Sequence, residues 1–294
     1  MANLNNRSFL YWAYMETSPG KKFRLAMESE HPLQVVGAVN AYTAILAKAV
    51  GFRALYLSGA GVANVSFGVP DSGITSLNDV LEDVIRITSA VDLPLLVDID
   101  TGWGNEQTIV RSIKAMIRAG AAGVHLEDQV FSKRCGHLLG KELVSTEEMV
   151  HRIKSAVDAR TDPAFVIIAR TDALSVEGFP QTIERAIAYK KAGADVLFPE
   201  AFDKLTDYTA IKKAAGLPVL ANLTEFGKTP LFTTQELATA GVDMALYPLS
   251  AARAMHAAAL AVYKDIRANG TQKNSISQMQ TRDELYKFLN YQRK

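Results

Sequence analysis

Cysteine is almost absent from this sequence, because Cys135 is the only one among 294 residues. A single thiol excludes an internal disulfide and any metal site built from several cysteines, and it is typical of a reducing compartment. Long apolar runs are absent too, since no stretch approaches the roughly 18 residues of a membrane helix. The aromatic segment 9–15 is short and lacks a small-residue cleavage site, so we do not expect a signal peptide.

An excess of one charge is also absent. Lys and Arg number 32, Asp and Glu number 31, and the net charge is +1. This balance argues against a protein that binds nucleic acid through bulk charge, although it leaves room for a local basic pocket. We therefore predict a cytoplasmic protein that has neither a membrane nor a nucleic acid as partner.

What the sequence does contain is a weak repeat in which a helical pattern ends at a glycine and a short apolar strand follows at once. The four glycines are Gly51, Gly120, Gly193 and Gly241. With the apolar runs between them, the candidate strands are 35–39, 54–58, 94–99, 122–127, 165–169, 195–199, 217–222 and 243–248. Eight buried strands that alternate with helices predict a (β/α)8 TIM barrel. An open doubly wound sheet is the alternative, and it would show fewer and less regular units.

The pattern divides the chain into three parts. Residues 1–17 are predicted to be an N-terminal arm, and residues 18–268 the barrel domain. After Ala268 comes a turn and one further helical segment, Thr281 to Tyr291, so residues 269–294 are predicted to be a C-terminal helical extension.

Polar residues cluster where the apolar strands end. Five of the strands end in this way, with Asp98 and Asp100, Glu127 and Asp128, Arg170 and Asp172, Glu200, and Asn222, Thr224 and Glu225. In a barrel all these positions meet at the carboxyl face, where the loops build the active site. A single acid at a strand end is usually a helix cap or a surface group, but five strands together predict a site.

Asp98 and Asp100 are the candidate metal ligands. Two residues apart on an extended strand, they would point to the same side and repel each other unless a cation compensates. Mg²⁺ suits this pair because it needs only one or two protein carboxylates, and Mn²⁺ is a second option. Asp71 and Glu127 are candidates for the outer shell. The alternative is a salt bridge to an arginine on a neighbouring strand.

The segment 132–137 is basic, is bounded by glycine and holds Cys135. Positive charge lowers a thiol pKa towards neutrality, so this cysteine is a candidate proton donor and acceptor. The alternative is an inert buried cysteine. Arg170, Arg253 and Arg282 would suit a small polycarboxylate, since arginine binds carboxylates in a bidentate manner. His125 lies within an apolar strand and is interpreted as a core residue.

The segment Lys133-Arg134-Cys135-Gly136-His137 resembles the signature of the isocitrate lyase and phosphoenolpyruvate mutase superfamily. The resemblance extends from about Ser18 to the helix that holds Arg282. It is supported by segments 57–59, 98–100, 127–129, 169–173, 198–200 and 222–227. The cysteine is typical of the lyase branch, and the chain length favours the methylisocitrate branch over the longer isocitrate lyases.

The resemblance implies a TIM barrel whose last helix is swapped with a neighbour in a homotetramer, a dimer of dimers. It also implies that Asp98 and Asp100 anchor Mg²⁺, with Asp71 and Glu127 supporting the hydrated ion. Ala60 stands where relatives often have glycine. The residues that the resemblance places around the substrate are Ser58, Gly59, Ala60, Cys135, Gly136, Arg170, Glu200, Asn222, Leu223, Thr224, Arg253 and Arg282.

The implied chemistry is a retro-aldol cleavage of 2-methylisocitrate, a small tricarboxylate, to pyruvate and succinate. A base removes the proton of the tertiary hydroxyl, and Tyr56 and Glu127 are the candidates, with Arg170 as a helper. Cys135 then protonates the succinate carbanion. Phe198 and Leu246 are predicted to accommodate the substrate methyl group.

Several alternative functions stay open at this stage. Other reactions of the superfamily would be isocitrate cleavage, dimethylmalate cleavage or oxaloacetate decarboxylation. A catalytically inactive barrel that binds a dicarboxylate is a further alternative, against which the intact catalytic residues argue.

Overall fold

The computed structural model describes residues 18–133, 136 and 140–292. Its sheet has eight parallel strands: β1 Leu33–Gly37, β2 Ala54–Leu57, β3 Leu95–Asp98, β4 Gly123–Glu127, β5 Val166–Thr171, β6 Val196–Pro199, β7 Leu220–Asn222 and β8 Met244–Tyr247. The strand order is β6-β5-β4-β3-β2-β1-β8-β7. β6 and β7 meet through a parallel bridge between Leu197 and Val219, where Leu197 N–H donates to Pro218 O at 2.9 Å. The predicted eight-stranded barrel is confirmed.

Helices follow the strands and cover the outside of the barrel. The α-helices are Pro19–Ser29, Ala41–Ala49, Gly59–Gly61, Leu77–Ala90, Glu106–Arg118, Thr146–Asp158, Phe179–Lys191, Leu205–Ala215, Thr234–Thr239, Ser250–Asn269 and Arg282–Phe288. A π-helical turn, Val62–Ser66, and 3-10 turns at Ala173–Ser175 and Lys273–Gln278 complete the set. The four repeat glycines adopt φ values between 80° and 100°, a backbone conformation that favours glycine at a helix end.

Two apolar layers form the core. The larger lies between the sheet and the helices, and the smaller fills the inside of the barrel. Along β5 the inward positions are Val166, Ile168 and then Arg170, and along β6 they are Val196 and Phe198. Because side chains alternate between the two faces of a strand, the same inward row changes from apolar to polar at the carboxyl end. This change places the polar mouth directly above the inner core.

After the long helix come a 3-10 turn and a last helix that is shorter than the predicted segment 281–291. It begins at Arg282 after a capping box formed by Thr281 and Glu284. The preceding long helix, Ser250–Asn269, buries only Ala252. In the part of the chain that the structure describes, no helix combines the length and apolar character needed to cross a bilayer. The predicted arm, residues 1–17, lies outside the described residues.

Candidate active site

A cavity of about 190 Å³ opens at the carboxyl ends of the strands. Its size suits a small acid better than a drug-sized ligand, for which pockets of roughly 300–1,000 Å³ are usual. The lining residues are Tyr56, Ser58, Ala60, Asn64, Asp71, Asp98, Lys133, Gly136, Arg170, Phe198, Glu200, Asn222, Thr224, Pro248, Leu249 and Arg253. The structure thus brings together most residues that the sequence placed around the substrate.

Asp98 and Asp100 converge beneath the short helix that follows β2. Asp98 Oδ2 accepts a hydrogen bond from Gly59 N–H at 3.0 Å, and its Oδ1 accepts from Asp100 N–H at 3.0 Å. The route to this arrangement differs from the predicted one, because β3 ends at Asp98 and Asp100 has a φ of 47°. A left-handed turn, rather than the alternation of an extended strand, directs the second carboxylate to the site.

The two carboxylates meet the conditions for a cation site. A Cβ on Gly59 would lie 3.1 Å from Asp98 Oδ2 and 3.3 Å from Asp100 Oδ1, so both approach the space that glycine leaves open. Within residues 18–133, 136 and 140–292 no three His, Cys, Asp or Glu side chains form a ligand cage. Two carboxylates suit a hard, largely hydrated ion such as Mg²⁺ better than a metal that needs a full set of protein ligands.

Lys133 is the counter-ion of this pair. Its Nζ lies 2.8 Å from Asp100 Oδ1 and also contacts Asp71. Burial favours a neutral lysine, but Asp100 and the other carboxylates outweigh it and raise the pKa of Lys133 above its ordinary range. Burial and the charge of Asp98 raise the pKa of Asp100 to about 6. The ammonium group of Lys133, a residue of the basic segment 132–137, thus lies on these carboxylates.

Tyr56 lines the cavity and rests on His125. The Tyr56 hydroxyl is 2.8 Å from His125 Nε2 and 3.4 Å from Asp98 Oδ2. Burial raises the pKa of Tyr56 well above its ordinary value, and burial lowers that of His125 to about 4. His125 is therefore neutral at pH 7, and it is bonded to a site residue rather than being only a core residue.

Arg170 is held among carboxylates at the end of β5. Its Nε and Nη2 lie 3.0 and 3.3 Å from the two oxygens of Asp172, and its Nη1 lies 3.2 Å from Glu127 Oε2. The guanidinium stacks on the Phe198 ring, 5.3 Å from its centroid. These contacts fix its orientation and leave it facing the cavity, where it is suited to bind a carboxylate of a ligand.

Glu127 lies below the cavity and does not line it. Neither of its carboxylate oxygens has a hydrogen-bond partner among the described residues, although Arg170 is within ion-pair distance. Burial raises its pKa well above the ordinary value. Such a carboxyl group can hold a water or a hydrated ion, which is consistent with the outer-shell role predicted for it.

The cysteine segment is only partly described. Cys135 lies outside the described residues, whereas Gly136 is buried and lines the cavity. A Cβ on Gly136 would lie 2.5 Å from both Arg170 Nη2 and Glu200 Cγ. This position therefore requires glycine, because its backbone lies directly on two side chains of the cavity wall.

Three predicted residues lie away from the cavity. Leu246 is fully buried in the inner core, and Pro248 and Leu249 line the mouth in its place. The Leu223 side chain packs in the outer core layer, because inward and outward positions alternate and its neighbours Asn222 and Thr224 face the cavity. Arg282 is exposed on the last helix.

Sequence reasoning missed the roles of two basic residues and of His125. Lys133 was considered only as part of the basic segment, and Lys141 was not singled out, although both are buried beside acidic partners. Both lysines lie in a charged, glycine-bounded segment close to a row of acidic residues, and this placement could have indicated that they pair with those acids. His125 belongs to the same strand as Glu127 and points to the same side, which the period of two could have indicated.

The barrel, its acidic mouth and its buried arginine define a class of enzymes that act on small carboxylic acids at the carboxyl face of a (β/α)8 barrel. The comparisons with known proteins identify the family. The phosphoenolpyruvate phosphomutase family profile matches residues 23–267, and the chain belongs to this family.

Among its relatives is a 2-methylisocitrate lyase of Vibrio cholerae, 59% identical over 283 residues that cover 94% of this chain and 92% of the relative. The crystal structure of a 2,3-dimethylmalate lyase superposes with a TM-score of 0.85 at 33% identity, covering 92% of this chain and 91% of the other. A phosphonopyruvate hydrolase complex with oxalate and Mg²⁺ superposes with a TM-score of 0.81 at 29% identity, covering 93% and 95% of the two chains.

Proposed function

We propose that this protein is a carbon–carbon lyase that cleaves 2-methylisocitrate to pyruvate and succinate. The observation that carries the proposal is the 59% identity to a 2-methylisocitrate lyase over nearly the whole chain. The cavity supports it, because two arginines, three acidic side chains and the backbone of Gly136 line a space suited to a small acid. The reaction belongs to the methylcitrate cycle of propionate breakdown.

Asp98 and Asp100 would hold Mg²⁺, and Mn²⁺ is an alternative. When bound, the ion would supply Lewis-acid stabilisation of oxygens that become negative in the reaction. A relative in the comparisons was solved with Mg²⁺, which agrees with this assignment. Asp71 and Glu127 remain the candidates for the outer shell, one at the edge of the cavity and one beneath it.

Cleavage begins when a base removes the proton of the tertiary hydroxyl. Tyr56 is the candidate that lines the cavity, with its hydroxyl 2.8 Å from His125 Nε2, but burial raises its pKa and keeps the hydroxyl protonated in the free protein. Glu127, the other candidate, does not line the cavity and lies beside Arg170 Nη1 at 3.2 Å. As the C2–C3 bond breaks, the oxygen electrons form the ketone of pyruvate and the bond electrons pass to succinate. Arg170 would stabilise the carboxylate on which that charge develops.

Cys135 would then donate its thiol proton to the succinate carbanion. Cys135→Ala should abolish turnover and leave substrate binding intact. Turnover at the wild-type rate in this variant would contradict the assignment. Gly136, which follows Cys135 in the chain, lies against Arg170 and Glu200.

Phe198 is the residue we propose for contact with the substrate methyl group, together with Pro248 and Leu249 rather than Leu246. One methyl group is worth about 1–3 kcal/mol of discrimination in an apolar pocket. Slow cleavage of isocitrate, to glyoxylate and succinate, is therefore expected as a side activity.

We also propose a cytoplasmic homotetramer in which the C-terminal extension packs on a neighbouring subunit. The long helix Ser250–Asn269 supports this, because Leu260 and Tyr263 are 54% and 69% exposed. Burial against a second copy would remove this apolar surface from water. Arg282 would reach a substrate only through such an exchange. Leu260→Asp should lower the molecular mass measured by light scattering, and an unchanged mass would contradict the packing.

The test of the function is pyruvate release from 2-methylisocitrate with Mg²⁺ and with excess EDTA. Glyoxylate release from isocitrate is measured in parallel, and 2,3-dimethylmalate and oxaloacetate are added as further substrates. Metal-dependent preference for the methylated substrate is the expected result. A preference for one of the other acids would assign the chain to a different reaction of the same family. Ligand binding without cleavage of any acid would indicate an inactive barrel.

A further inference from the structure

Lys141 is a buried cation that the reaction described above does not use. Its side chain is 1% exposed, and its Nζ donates to Gly136 O at 2.6 Å and to Asp172 Oδ1 at 2.8 Å. Burial of an ammonium group is costly unless it is paired and hydrogen-bonded, and here both requirements are met. The pair of acceptors is the informative feature, because one belongs to the cysteine segment and the other to the end of β5.

The first acceptor fixes the backbone of the cysteine segment. Gly136 has no room for a side chain, since a Cβ would lie 2.5 Å from Arg170 Nη2 and from Glu200 Cγ. The backbone there touches the cavity wall on one side, and Lys141 holds its carbonyl on the other. The position of Gly136 therefore depends on both contacts.

The second acceptor fixes Arg170. The Asp172 carboxylate accepts hydrogen bonds from Arg170 Nε at 3.0 Å and from Arg170 Nη2 at 3.3 Å, and the Asp172 N–H donates to Asp128 at 2.9 Å. Asp172 Oδ1 is thus shared between Lys141 and Arg170. One ammonium group connects the glycine backbone and the guanidinium that both line the cavity.

We propose that Lys141 is a positioning residue for the reaction, holding Gly136 and Arg170 in one fixed relation through its two hydrogen bonds. It touches no substrate and acts through the two residues that do. The proposal rests on the proposed function, because the positions that it fixes are those of the bond-cleaving site. A misplacement of about 1 Å at a reacting group can cost about 10²-fold in rate.

The test compares Lys141→Met with a matched control, Lys212→Met. Lys212 Nζ also donates to a glycine carbonyl, Gly241 O at 2.7 Å, and to an aspartate, Asp243 at 2.8 and 2.9 Å. Those partners precede β8 at the opposite end of the barrel from the cavity. We expect Lys141→Met to lower kcat by about 10²-fold with a much smaller change in KM, and the control to keep both values.

Chemical denaturation separates positioning from a merely structural role. Lys141→Met leaves Asp172 with one cation fewer, and this alone lowers the free energy of unfolding. The folded fraction of each variant is therefore measured under the assay conditions, and kcat is expressed per folded molecule. If Lys141 only balances charge, kcat per folded Lys141→Met equals the wild-type value, which would overturn the proposal. If Lys141 positions the site, kcat per folded molecule stays about 10²-fold low.

A third measurement does not depend on turnover. Cys135 is the only thiol and directly precedes Gly136, so iodoacetamide reports on this segment alone. Pyruvate with succinate should slow alkylation in the wild type and in Lys212→Met, and should lose most of that effect in Lys141→Met. Equal protection in all three proteins, or a kcat of Lys141→Met within twofold of the wild type, would overturn the proposal. Absence of cleavage by the wild type would instead refute the proposed function, while alkylation still reports on Lys141.

Discussion

Replacing Arg170 by lysine keeps the charge at the end of β5 and removes the planar fork. The guanidinium makes three close contacts, to the two oxygens of Asp172 and to Glu127. A single ammonium group cannot keep all three and also face the cavity. A hydrogen bond to a charged group contributes about 1.5–3 kcal/mol, and each 1.36 kcal/mol of the activation barrier is tenfold in rate. Loss of one such contact in the transition state therefore predicts a fall of about 10²-fold in kcat/KM for Arg170→Lys.

The assay follows pyruvate release from 2-methylisocitrate by coupled oxidation of NADH, and chemical denaturation gives the free energy of unfolding of the same samples. Arg160→Lys is the control, because Arg160 donates to Asp195 at 3.0 Å and to the Phe165 carbonyl at 3.2 Å, at the amino ends of β6 and β5 and away from the cavity. Both variants should lose stability, but only Arg170→Lys should lose activity. A kcat/KM for Arg170→Lys within threefold of the wild type, or an equal loss in the control, would refute the reasoning.

The remaining predictions concern three other positions. Gly136→Ala should lower kcat/KM at least tenfold, because the added Cβ would collide with Arg170 and Glu200. Steady-state kinetics on a variant of unchanged melting temperature would measure this loss, and a wild-type kcat/KM would contradict the packing. Asp98→Asn should raise the Mg²⁺ concentration needed for half activity, seen by titration from EDTA-treated protein, whereas an unchanged titration would remove Asp98 from the metal site. Hydrogen bonds from Thr281 lower the pKa of Glu284 below its ordinary 4.5. The charged Glu284 therefore stabilises the last helix fully above pH 4.5, and this stabilisation is lost as the pH falls through the lowered pKa. Hydrogen exchange between pH 6 and 3 should show the loss in the wild type and a flatter response in Glu284→Gln.

The barrel could be predicted from the sequence because each unit repeats the same local chemistry. A glycine ends a helix and an apolar strand follows, as at Gly120 before β4 and Gly193 before β6. All eight predicted strands are present, with ends that shift by a few residues. The shortening of β7 to Leu220–Asn222 has a local cause, because Pro218 provides no N–H for the strand ladder.

The composition of the site was also predictable, because strand ends in a closed barrel must meet. Which acidic and basic residues pair with each other in the site could not be predicted. Asp100 reaches the site through a positive φ that aspartate adopts less readily than glycine, and the sequence around it carries no sign of that turn. Lys133 and Lys141 lie eight positions apart and meet their acids, Asp100 just after β3 and Asp172 just after β5, only after folding. Such pairs depend on the position of whole strands, which local patterns do not contain.

The buried charges at the mouth lead to a last prediction, that a small polycarboxylate binds more tightly together with a divalent cation. Among the described residues, four buried carboxylates lie at or beneath the cavity floor and three buried cations pair with them: Asp98, Asp100, Asp172 and Glu200 against Lys133, Lys141 and Arg170. Glu127 is left out of this comparison, because burial raises its pKa and disfavours its charged form. This excess of negative charge would repel a substrate that carries three carboxylates of its own. Calorimetry with succinate, as a product that is not turned over, should show at least tenfold weaker binding in EDTA than with Mg²⁺. Equal affinity in the two conditions would mean that Arg170 and its neighbours bind the acid without help, and that the carboxylate pair has another purpose.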